Sequence, residues 1–426
     1  IGYPFMIKAT AGGGGRGIRR VRSRDEIADK LASARSEAAS AFGDATVFIE
    51  RAVMKARHIE VQMIADGHGT VWSVGVRDCT VQRRNQKIIE EAPSPALTPE
   101  QHRAVMEAAA DLGRAAGYRN AGTVEFLFEP DTGDFWFMEV NARLQVEHPI
   151  TELTTGADMV KLQIDVASGH PLTGNPPTTV GHAIEIRLNA EDPGTGFAPA
   201  PGELTVLRFP FGPGVRVDSG VEEGDAIAPE FDSMIAKIMA YGSDRSEAVA
   251  RLRRALQETT VVVRDGASNK SFVEWLLSTP EFHAGDFDTG WVDGLVESGP
   301  LVGSEVADAA LVAAGIAAYD DAMDLELKRF HASANRGRPH IEQDIGHTVG
   351  LRYGGNSYEL DVAMLESDTY AVTIDGTTVQ ATIADTGRLG QRIIMGPRSH
   401  RLLSLADGGT HYVEIDGLPH RITPDE

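Results

Sequence analysis

The feature that most constrains the fold is a pair of aromatic-rich runs, VEFLF and FWFME, on either side of the turn sequence Pro-Asp-Thr-Gly at 130–133. Such runs, separated by turn residues, predict a β-hairpin. If the hairpin is centred on Thr132, Glu125 lies directly opposite Glu139, with the two Cβ atoms ~5 Å apart. Facing carboxylates repel each other, so the pattern predicts a bound divalent cation, and oxygen ligands favour Mg²⁺ or Mn²⁺.

The alternation of polar and apolar residues continues beyond the hairpin. Alternate side chains of an extended chain share one face, and here that face carries polar groups: Glu139, Asn141, Arg143, Gln145 and Glu147. Arg143 can bind a small planar oxyanion through two hydrogen bonds, and Glu147 can act as a base. The segment predicts an anion site beside the metal. The alternative interpretation is a solvated amphipathic strand with a salt bridge.

A glycine-rich segment, GGGGRG at 12–17, follows a strand-like run that ends at Lys8. Glycine allows positive φ and a close backbone approach to a ligand, so these amides can bind phosphate oxygens, with Lys8 as the neighbouring cation. The next helical pattern starts about seven residues later, too far for a dinucleotide-binding loop, and Ile18 follows Gly17 where a GK[ST] loop requires Lys. The alternative is a flexible linker.

Composition and charge exclude several classes of protein. The chain has 426 residues, about three units of ~150 residues each, and 62 acidic against 40 basic residues give a net charge of −22. This charge argues against nucleic-acid binding, which depends on Lys and Arg. No apolar run approaches the ~20 residues of a membrane helix. Cys79 is the single cysteine, which excludes intramolecular disulfides and cysteine zinc sites and predicts a reducing compartment such as the cytoplasm.

Three regions of the chain differ in pattern. Residues 1–50 contain a strand, the glycine run and a helix, residues 51–295 mix strands with helices, and residues 301–426 follow a short Ser-Gly-Pro break. The third region starts with a long amphipathic stretch and continues with alternating residues between Gly-Gly and Asp-Gly turns, which are hairpin signals. We therefore expect an α+β protein that ends in a helix and a small antiparallel β-barrel or sandwich. Because the chain starts at Ile1 without Met, we also expect a fragment of a longer protein.

Seven motifs within residues 1–295 occur in the order of one known family: KATAGGGGRG (8–17), RHIEVQ (57–62), RDCTVQRRNQK (77–87), EEAPSPALTPE (90–100), EVNARLQVEHPITE (139–152), GHAIEIRLNAEDP (181–193) and EFDSMIAK (230–237). Together they resemble the biotin carboxylase component of biotin-dependent carboxylases, an ATP-grasp enzyme. The resemblance implies a partial ATP-grasp fold without its amino-terminal domain, with the lid at 1–50 and the main and carboxy-terminal parts at 51–295. It also implies the reaction of ATP, bicarbonate and biotin to ADP, phosphate and carboxybiotin.

The resemblance further implies a role for each residue that matches a family motif. The ATP-binding residues would be Lys8, Gly13, Gly14, Gly15, Glu50, His58 and Gln82. The ligands of Mg²⁺ or Mn²⁺ would be Glu125, Glu139 and Asn141. Bicarbonate would be bound by Lys87, Arg143, Gln145 and Val146. Catalysis would rest on Glu147, which removes the bicarbonate proton, on Arg187, which stabilises the ureido oxygen of biotin, and on Lys87 and Arg143.

Residues 301–426 resemble the linker domain between the biotin carboxylase and biotin carrier parts of acyl-CoA carboxylase α-chains. The resemblance implies a docking module for a carboxyltransferase and a homo-oligomeric enzyme. A biotin carrier domain is the alternative, but it requires a lysine in an AMKM-like turn, and the nearest string, VAML at 362–365, has none. Biotin is therefore expected on a carrier segment outside this chain.

Two other functions stay open at this stage. The first is a different ATP-grasp ligase that makes an acyl phosphate from another carboxylate, since it would share the metal and phosphate sites. The second is a mainly non-catalytic assembly segment, in which residues 301–426 bind a partner.

Overall fold

The structure is a computed structural model, and it describes residues 1–11, 17–298, 306–334, 346–387 and 390–425. Three of the expected ATP-binding residues, Gly13, Gly14 and Gly15, lie outside the described residues. None of the helices in these ranges contains an apolar stretch long enough to cross a membrane.

Strands and helices alternate irregularly through residues 1–298. The strands are β1 Phe5–Ala9, β2 Arg19–Val21, β3 Val47–Arg51, β4 Arg57–Ala65, β5 Val71–Arg83, β6 Gln86–Ala92, β7 Asn120–Glu129, β8 Asp134–Asn141, β9 His182–Asn189, β10 Glu191–Asp192, β11 Ala198–Pro199, β12 Glu203–Arg208, β13 Val215–Ser219, β14 Met234–Gly242 and β15 Thr260–Arg264. The helices are α1 Ile27–Phe42, α2 Pro99–Ala115, α3 His148–Thr155, α4 Met159–Ala167, α5 Arg245–Glu258, α6 Lys270–Ser278, α7 Pro280–Ala284 and α8 Trp291–Ser298.

A small antiparallel sheet, in the order β2-β1-β3, carries the amino-terminal part of the site. Phe5 and Ile7 of β1 are buried with Ala34 of α1, so the odd-numbered face of β1 forms the core of this unit. Side chains alternate between the two faces of a strand. Lys8 therefore lies on the opposite face, where it reaches Glu50 of β3.

A large sheet of eight strands, in the order β13-β14-β9-β6-β5-β4-β7-β8, forms the centre of the molecule, and every neighbouring pair is antiparallel. On β4, Ile59 and Val61 pack against α2 in an apolar core. The residues that alternate with them on β4 are polar, namely His58, Glu60 and Gln62. One face of the sheet therefore forms an apolar core while the other presents polar groups.

The last region is a closed antiparallel barrel. Its strands are β16 His347–Tyr353, β17 Asn356–Glu366, β18 Thr369–Ile374, β19 Thr377–Gly387, β20 Gly390–Met395, β21 Arg398–Asp407, β22 Thr410–Ile415 and β23 Leu418–Pro424. They pair in chain order, and β23 pairs back with β16. Asp416 and Gly417, between β22 and β23, both have positive φ, as a two-residue hairpin turn requires. The barrel confirms one of the two expected architectures.

The first half of a long helix, α9 Ala307–Ala334, packs inside this barrel, whereas residues 321–332 of the helix are exposed or half-buried. Its residues from Ala309 to Ala314 are all buried, whichever way their side chains point. They share one apolar core with residues of all eight barrel strands, such as Leu360 and Ile422. A helix that is apolar on every side needs burial on every side, and the enclosing barrel provides it.

A buried ion pair joins the barrel to the rest of the chain. Lys270, at the start of α6, has a fully buried side chain, and its Nζ lies 2.9 Å from Oε2 of Glu414 on β22. The backbone N–H of Asp265 donates a hydrogen bond to the Tyr412 hydroxyl at 3.0 Å. At the edge of this junction, Arg264 pairs with Asp407.

Candidate active site

A large cleft, with a volume of about 1880 Å³, contains the expected site residues. Its walls include the outer face of the small sheet and the polar face of the large sheet. The expected residues that line it are Lys8, Glu50, His58, Gln82, Lys87, Glu125, Glu139, Asn141, Arg143, Gln145, Val146, Glu147 and Arg187. Every expected residue inside the described ranges therefore lines the same cleft. These residues come from eight strands, β1 and β3 to β9, and from the segment after β8.

The β7–β8 hairpin pairs Glu125 with Glu139, as the sequence predicts, but by a different route. Near the turn, Phe126 pairs with Phe137, and that register would place Met138 opposite Glu125. The extra residue is absorbed by a β-bulge, which shifts the pairing by one position. The centring on Thr132 is therefore wrong next to the turn and correct beyond the bulge. The bulge is what puts both carboxylates on one face.

The polar alternation after Glu139 also holds along the cleft wall. The odd-numbered residues through Glu147 line the cleft, whereas Val140, Ala142 and Leu144 do not, so the alternation holds as far as Gln145. Val146 also lines the cleft. The segment is not one long strand, however, because β8 ends at Asn141 and a turn precedes α3. That turn brings Glu147 back over the large sheet, where its side chain is almost fully buried.

Glu147 lies between two cations. Lys87 Nζ is 2.6 Å from its Oε1, and Arg187 Nη2 is 3.1 Å from its Oε2. Arg187 also donates from Nε to Oε1 of Glu90 at 2.7 Å. Burial opposes the charge on Arg187, but the carboxylates of Glu90, Glu147 and Glu185 outweigh it and raise the pKa of Arg187. Arg187 therefore carries a permanent positive charge at the edge of the cleft.

Lys87 links three carboxylates at the floor of the cleft. Its Nζ lies 2.7 Å from Glu60, 3.2 Å from Glu125 and 2.6 Å from Glu147. Burial by itself lowers the pKa of Lys87, but the acidic groups around it outweigh this effect and raise the pKa well above its usual value. The ammonium therefore stays charged, and it holds the three carboxylates close together.

The Glu125 carboxylate has several polar partners, whereas Glu139, its partner across the hairpin, has none among the described residues. Besides Lys87, it contacts His58 Nε2 at 3.2 Å and accepts a hydrogen bond from Gln145 Nε2 at 3.0 Å. Burial raises the pKa of Glu125, but these partners outweigh it and lower the pKa below its usual range. Glu125 is therefore ionised at neutral pH, which a metal ligand requires.

Glu139 and Asn141 keep their side-chain oxygens free for a metal ion. Within the described ranges, neither side chain has a hydrogen bond or an ion pair, although both line the cleft. Carboxylate and amide oxygens are the ligands that Mg²⁺ prefers. With Glu125 directly opposite Glu139, the residues fit a divalent cation at this position.

Two buried residues of this network, Glu60 and Arg77, were not among the sequence-predicted site residues. Arg77 is fully buried and donates to Glu60 Oε1 at 2.5 Å, to Gln62 Oε1 at 2.7 Å and to Gln145 Oε1 at 3.0 Å. Burial raises the pKa of Glu60, but Arg77 and Lys87 outweigh it and lower the pKa to about 2. Polar and apolar residues alternate on β4, as they do in the segment after β8. The same signal would therefore have identified Glu60.

The expected nucleotide-side residues form fewer contacts, with Lys8 and Glu50 on the small sheet and His58 and Gln82 beside the carboxylate network. Lys8 Nζ pairs with Glu50 Oε2 at 2.6 Å. Gln82 Nε2 lies 3.5 Å from His58 Nδ1 and donates to the Cys79 carbonyl at 3.2 Å. These contacts hold the side chains in place on the wall of the cleft.

Two family models match the chain. The ATP-binding domain of the carbamoyl-phosphate synthase L chain matches residues 1–175, and the biotin carboxylase C-terminal domain matches residues 185–294. All the expected site residues fall inside these two matches, with Arg187 in the second and the others in the first.

Several known proteins are similar to this chain. A biotin carboxylase of Nostoc sp. is 47% identical over 68% of this chain and 65% of its own length. A component of the pyruvate carboxylase of Methanothermobacter thermautotrophicus is 50% identical over 69% of this chain and 59% of its own length. The chain therefore spans less than two thirds of the length of both curated relatives.

One solved structure is similar across the same region. It is the biotin carboxylase domain dimer of the Hydrogenobacter thermophilus 2-oxoglutarate carboxylase, in complex with MgADP, ADP and bicarbonate. Its sequence identity to this chain is 38%, and its TM-score is 0.68, over 70% of this chain and 66% of that chain.

Proposed function

This chain belongs to the biotin carboxylase family of ATP-grasp enzymes, and from that premise we propose that it carboxylates biotin with ATP and bicarbonate. The observation that supports this best is the position of Glu147 between Lys87 and Arg187. A carboxylate that contacts two fixed cations is held in one orientation, and a general base must be oriented towards the proton that it accepts. Glu125 and Glu139, the proposed metal ligands, also line this cleft.

The metal-binding residues would act on ATP. A divalent cation bound by Glu125, Glu139 and Asn141 would neutralise charge on the phosphates, which is the main requirement of phosphoryl transfer. Lys8, on the opposite wall of the cleft, would contribute a further positive charge.

Bicarbonate would bind next to Glu147. Arg143 is exposed in the cleft and keeps most of its guanidinium donors free for an oxyanion among the residues that the structure describes. Gln145 and Lys87 lie on the Glu147 side of the cleft. Glu147 would accept the bicarbonate proton, because bicarbonate is a weak nucleophile until it is deprotonated. The resulting oxyanion would then attack the γ-phosphorus of ATP.

Arg187 would serve the second half of the reaction. Removing a proton from the ureido group of biotin puts negative charge on the ureido oxygen, and a fixed guanidinium stabilises that charge without titrating. In the described part of the chain, Arg187 uses Nε and Nη2 for Glu90 and Glu147, and its Nη1 has no protein partner. That nitrogen is available to the ureido oxygen.

The test is Glu147→Gln in the full-length protein, assayed for ADP formation that depends on both biotin and bicarbonate. Loss of a general base predicts a decrease of about 10²–10⁴-fold in kcat. Glu107→Gln, an exposed residue of α2, is the matched control and should keep full activity. Full activity in Glu147→Gln contradicts the proposal, and stimulation of ATP turnover by another carboxylate instead of bicarbonate would favour a different ligase.

We further propose that residues 301–426 dock a carboxyltransferase, that biotin is attached to a separate carrier domain, and that the assembly is a homo-oligomeric acyl-CoA carboxylase. The helix-filled barrel supports this proposal, because it is a closed unit with an apolar core of its own, and none of its described residues lines the cleft. The full-length protein with its carrier and carboxyltransferase should then carboxylate an acyl-CoA. Carboxylation of pyruvate alone would contradict the acyl-CoA assignment and leave the biotin carboxylase assignment intact.

A further inference from the structure

Two buried carboxyl groups behind Arg187 have no role in the proposed reaction. Glu90 on β6 and Glu185 on β9 are direct cross-strand partners, and neither has any exposed surface. Cross-strand partners project from the same face with Cβ atoms about 5 Å apart. Three of their four oxygens have no hydrogen-bond partner among the described residues: Glu90 Oε2, Glu185 Oε1 and Glu185 Oε2. The fourth, Glu90 Oε1, accepts from Arg187.

The surroundings cannot neutralise both carboxylates. Arg187 follows Glu185 by two residues on the same strand face, and Lys237 of β14 is the cross-strand partner of Arg187. Lys237 uses its Nζ for the Val146 carbonyl at 2.9 Å and for Asp218 at 3.3 Å. The other charged groups near the pair are Glu147 and Lys87, which bind each other. Within the part of the chain that the structure describes, Glu185 is therefore left without a cation of its own.

Two adjacent ionised carboxyl groups with unsatisfied oxygens would be costly in a buried site. A proton between them removes one negative charge and makes a hydrogen bond where the unpartnered oxygens lie. Burial, together with the mutual repulsion of the pair, raises the pKa of Glu185 well above its usual value, and burial raises the pKa of Glu90 as well. Burial and mutual repulsion therefore both favour one bound proton on the pair of Glu90 and Glu185 at neutral pH.

We infer that Glu185 and Glu90 share one proton, with Glu185 as the hydrogen-bond donor, and that Glu185 is thereby a positioning residue for Arg187. The inference rests on the proposed function of Arg187. The shared proton fixes the Glu90 carboxylate, whose other oxygen holds Arg187 Nε. It also limits the pair to one negative charge, so the guanidinium keeps positive charge for an oxyanion in the cleft.

The experiment compares Glu185→Leu and Glu185→Gln in the full-length protein. Leucine removes the proton donor, so the KM for biotin should rise about tenfold while the KM for ATP stays within about twofold. Glutamine keeps an N–H donor with the same shape, and it should restore the KM for biotin to near the wild-type value. A Glu185→Gln variant as defective as Glu185→Leu would overturn the inference.

A second measurement does not depend on turnover. Infrared spectroscopy of the wild-type protein at neutral pH should show the carbonyl stretch of a protonated carboxylic acid, and Glu185→Gln should abolish it. Absence of the band, or its persistence in Glu185→Gln, would overturn the inference. If the band behaves as expected but the protein does not carboxylate biotin, the shared proton stands and the proposed function fails. This measurement also decides the matter if Glu185→Leu does not fold.

Discussion

The large sheet and the barrel bury different kinds of side chain. The polar face of the sheet buries charged groups, with Glu60, Arg77, Glu90 and Glu185 all fully inaccessible. The barrel instead has a mainly apolar interior, formed by side chains of its strands and of α9. Both regions consist of eight antiparallel strands, so they differ in the function of the buried side chains and not in the type of sheet.

The comparison shows how each region obtains its stability. An apolar interior stabilises the barrel roughly in proportion to the area that it removes from water. A charged interior is costly to desolvate, and a hydrophobic replacement is often as stable or more so. The charges in the sheet are therefore best explained by the chemistry of the cleft. Single substitutions should therefore distinguish the two regions. Those in the polar face of the sheet should change activity, and those in the barrel should change stability alone.

The largest effect is expected for Arg77→Met. Removing this cation leaves Glu60 without its closest partner and leaves Gln62 and Gln145 with unpaired oxygens. Breaking a buried ion pair from one side costs about 3–5 kcal/mol, and displacement of Gln145 should also lower activity. Urea denaturation measures the first effect and bicarbonate-dependent ADP formation the second.

The control for this prediction is Arg114→Met, because Arg114 pairs with Asp111 on the exposed side of α2. An exposed pair contributes about 0–1 kcal/mol. Equal losses in the two variants would mean that the buried network does not hold the sheet together.

A smaller effect, confined to stability, is expected for Leu360→Ala in β17. Leu360 is fully buried against α9, and truncating a buried leucine costs about 2–5 kcal/mol. Leu365→Ala, at an exposed position of the same strand, should change the free energy of unfolding by less than about 0.5 kcal/mol. A change in the KM for ATP in Leu360→Ala would contradict the separation of the two regions.

Acid should weaken the barrel through His420. Burial lowers the pKa of His420 to about 4, and its Nδ1 lies 2.7 Å from the Tyr353 hydroxyl. In the unfolded chain the pKa is about 6.5. As pH falls below that value, the unfolded chain gains a proton that the folded barrel does not accept until pH about 4. Stability is therefore full above pH about 6.5, and about 3 kcal/mol is lost as the pH falls towards 4.

Urea denaturation of the wild-type protein and of His420→Gln, between pH 7 and pH 4, measures this loss. The variant should show a flatter dependence on pH than the wild type. His347→Gln, at an exposed position of β16, should leave the dependence unchanged. An identical slope in wild type and His420→Gln would show that other groups cause the loss.

The smallest effect is expected at the junction between the two regions. Arg264 is about two-fifths exposed and pairs with Glu203 at 2.7 Å and with Asp407. Exposed ion pairs contribute about 0–1 kcal/mol, so Arg264→Met should lower the free energy of unfolding by less than about 1 kcal/mol, as measured by urea denaturation. A larger loss would mean that the edge of the junction, rather than the buried pair of Lys270 and Glu414, holds the barrel in place.

Local pattern was sufficient where one periodicity ran without interruption. The polar alternation that starts at Glu139 and the hairpin turns of the barrel follow from period-2 alternation and from turn residues. The facing of Glu125 and Glu139 also required the β-bulge, which the pattern did not reveal. Local pattern does not indicate the helix α3 at 148–155, because its sequence HPITELTT is rich in β-branched residues of low helix propensity. Burial of Ile150 against Ala183 and Met239 stabilises the helix there, and that contact joins residues distant in the chain.

The sequence by itself determined the alternation of side chains, the motifs of the family and the candidate site residues that lie together in the cleft, because these depend on neighbouring positions. The tertiary structure decided what those residues contact. The bulge at Met138, the turn before Glu147 and the cross-strand pairing of Glu90 with Glu185 depend on strands brought together across the sheet. Charge balance in a buried site is a property of the whole neighbourhood, and only the fold specifies which groups share it.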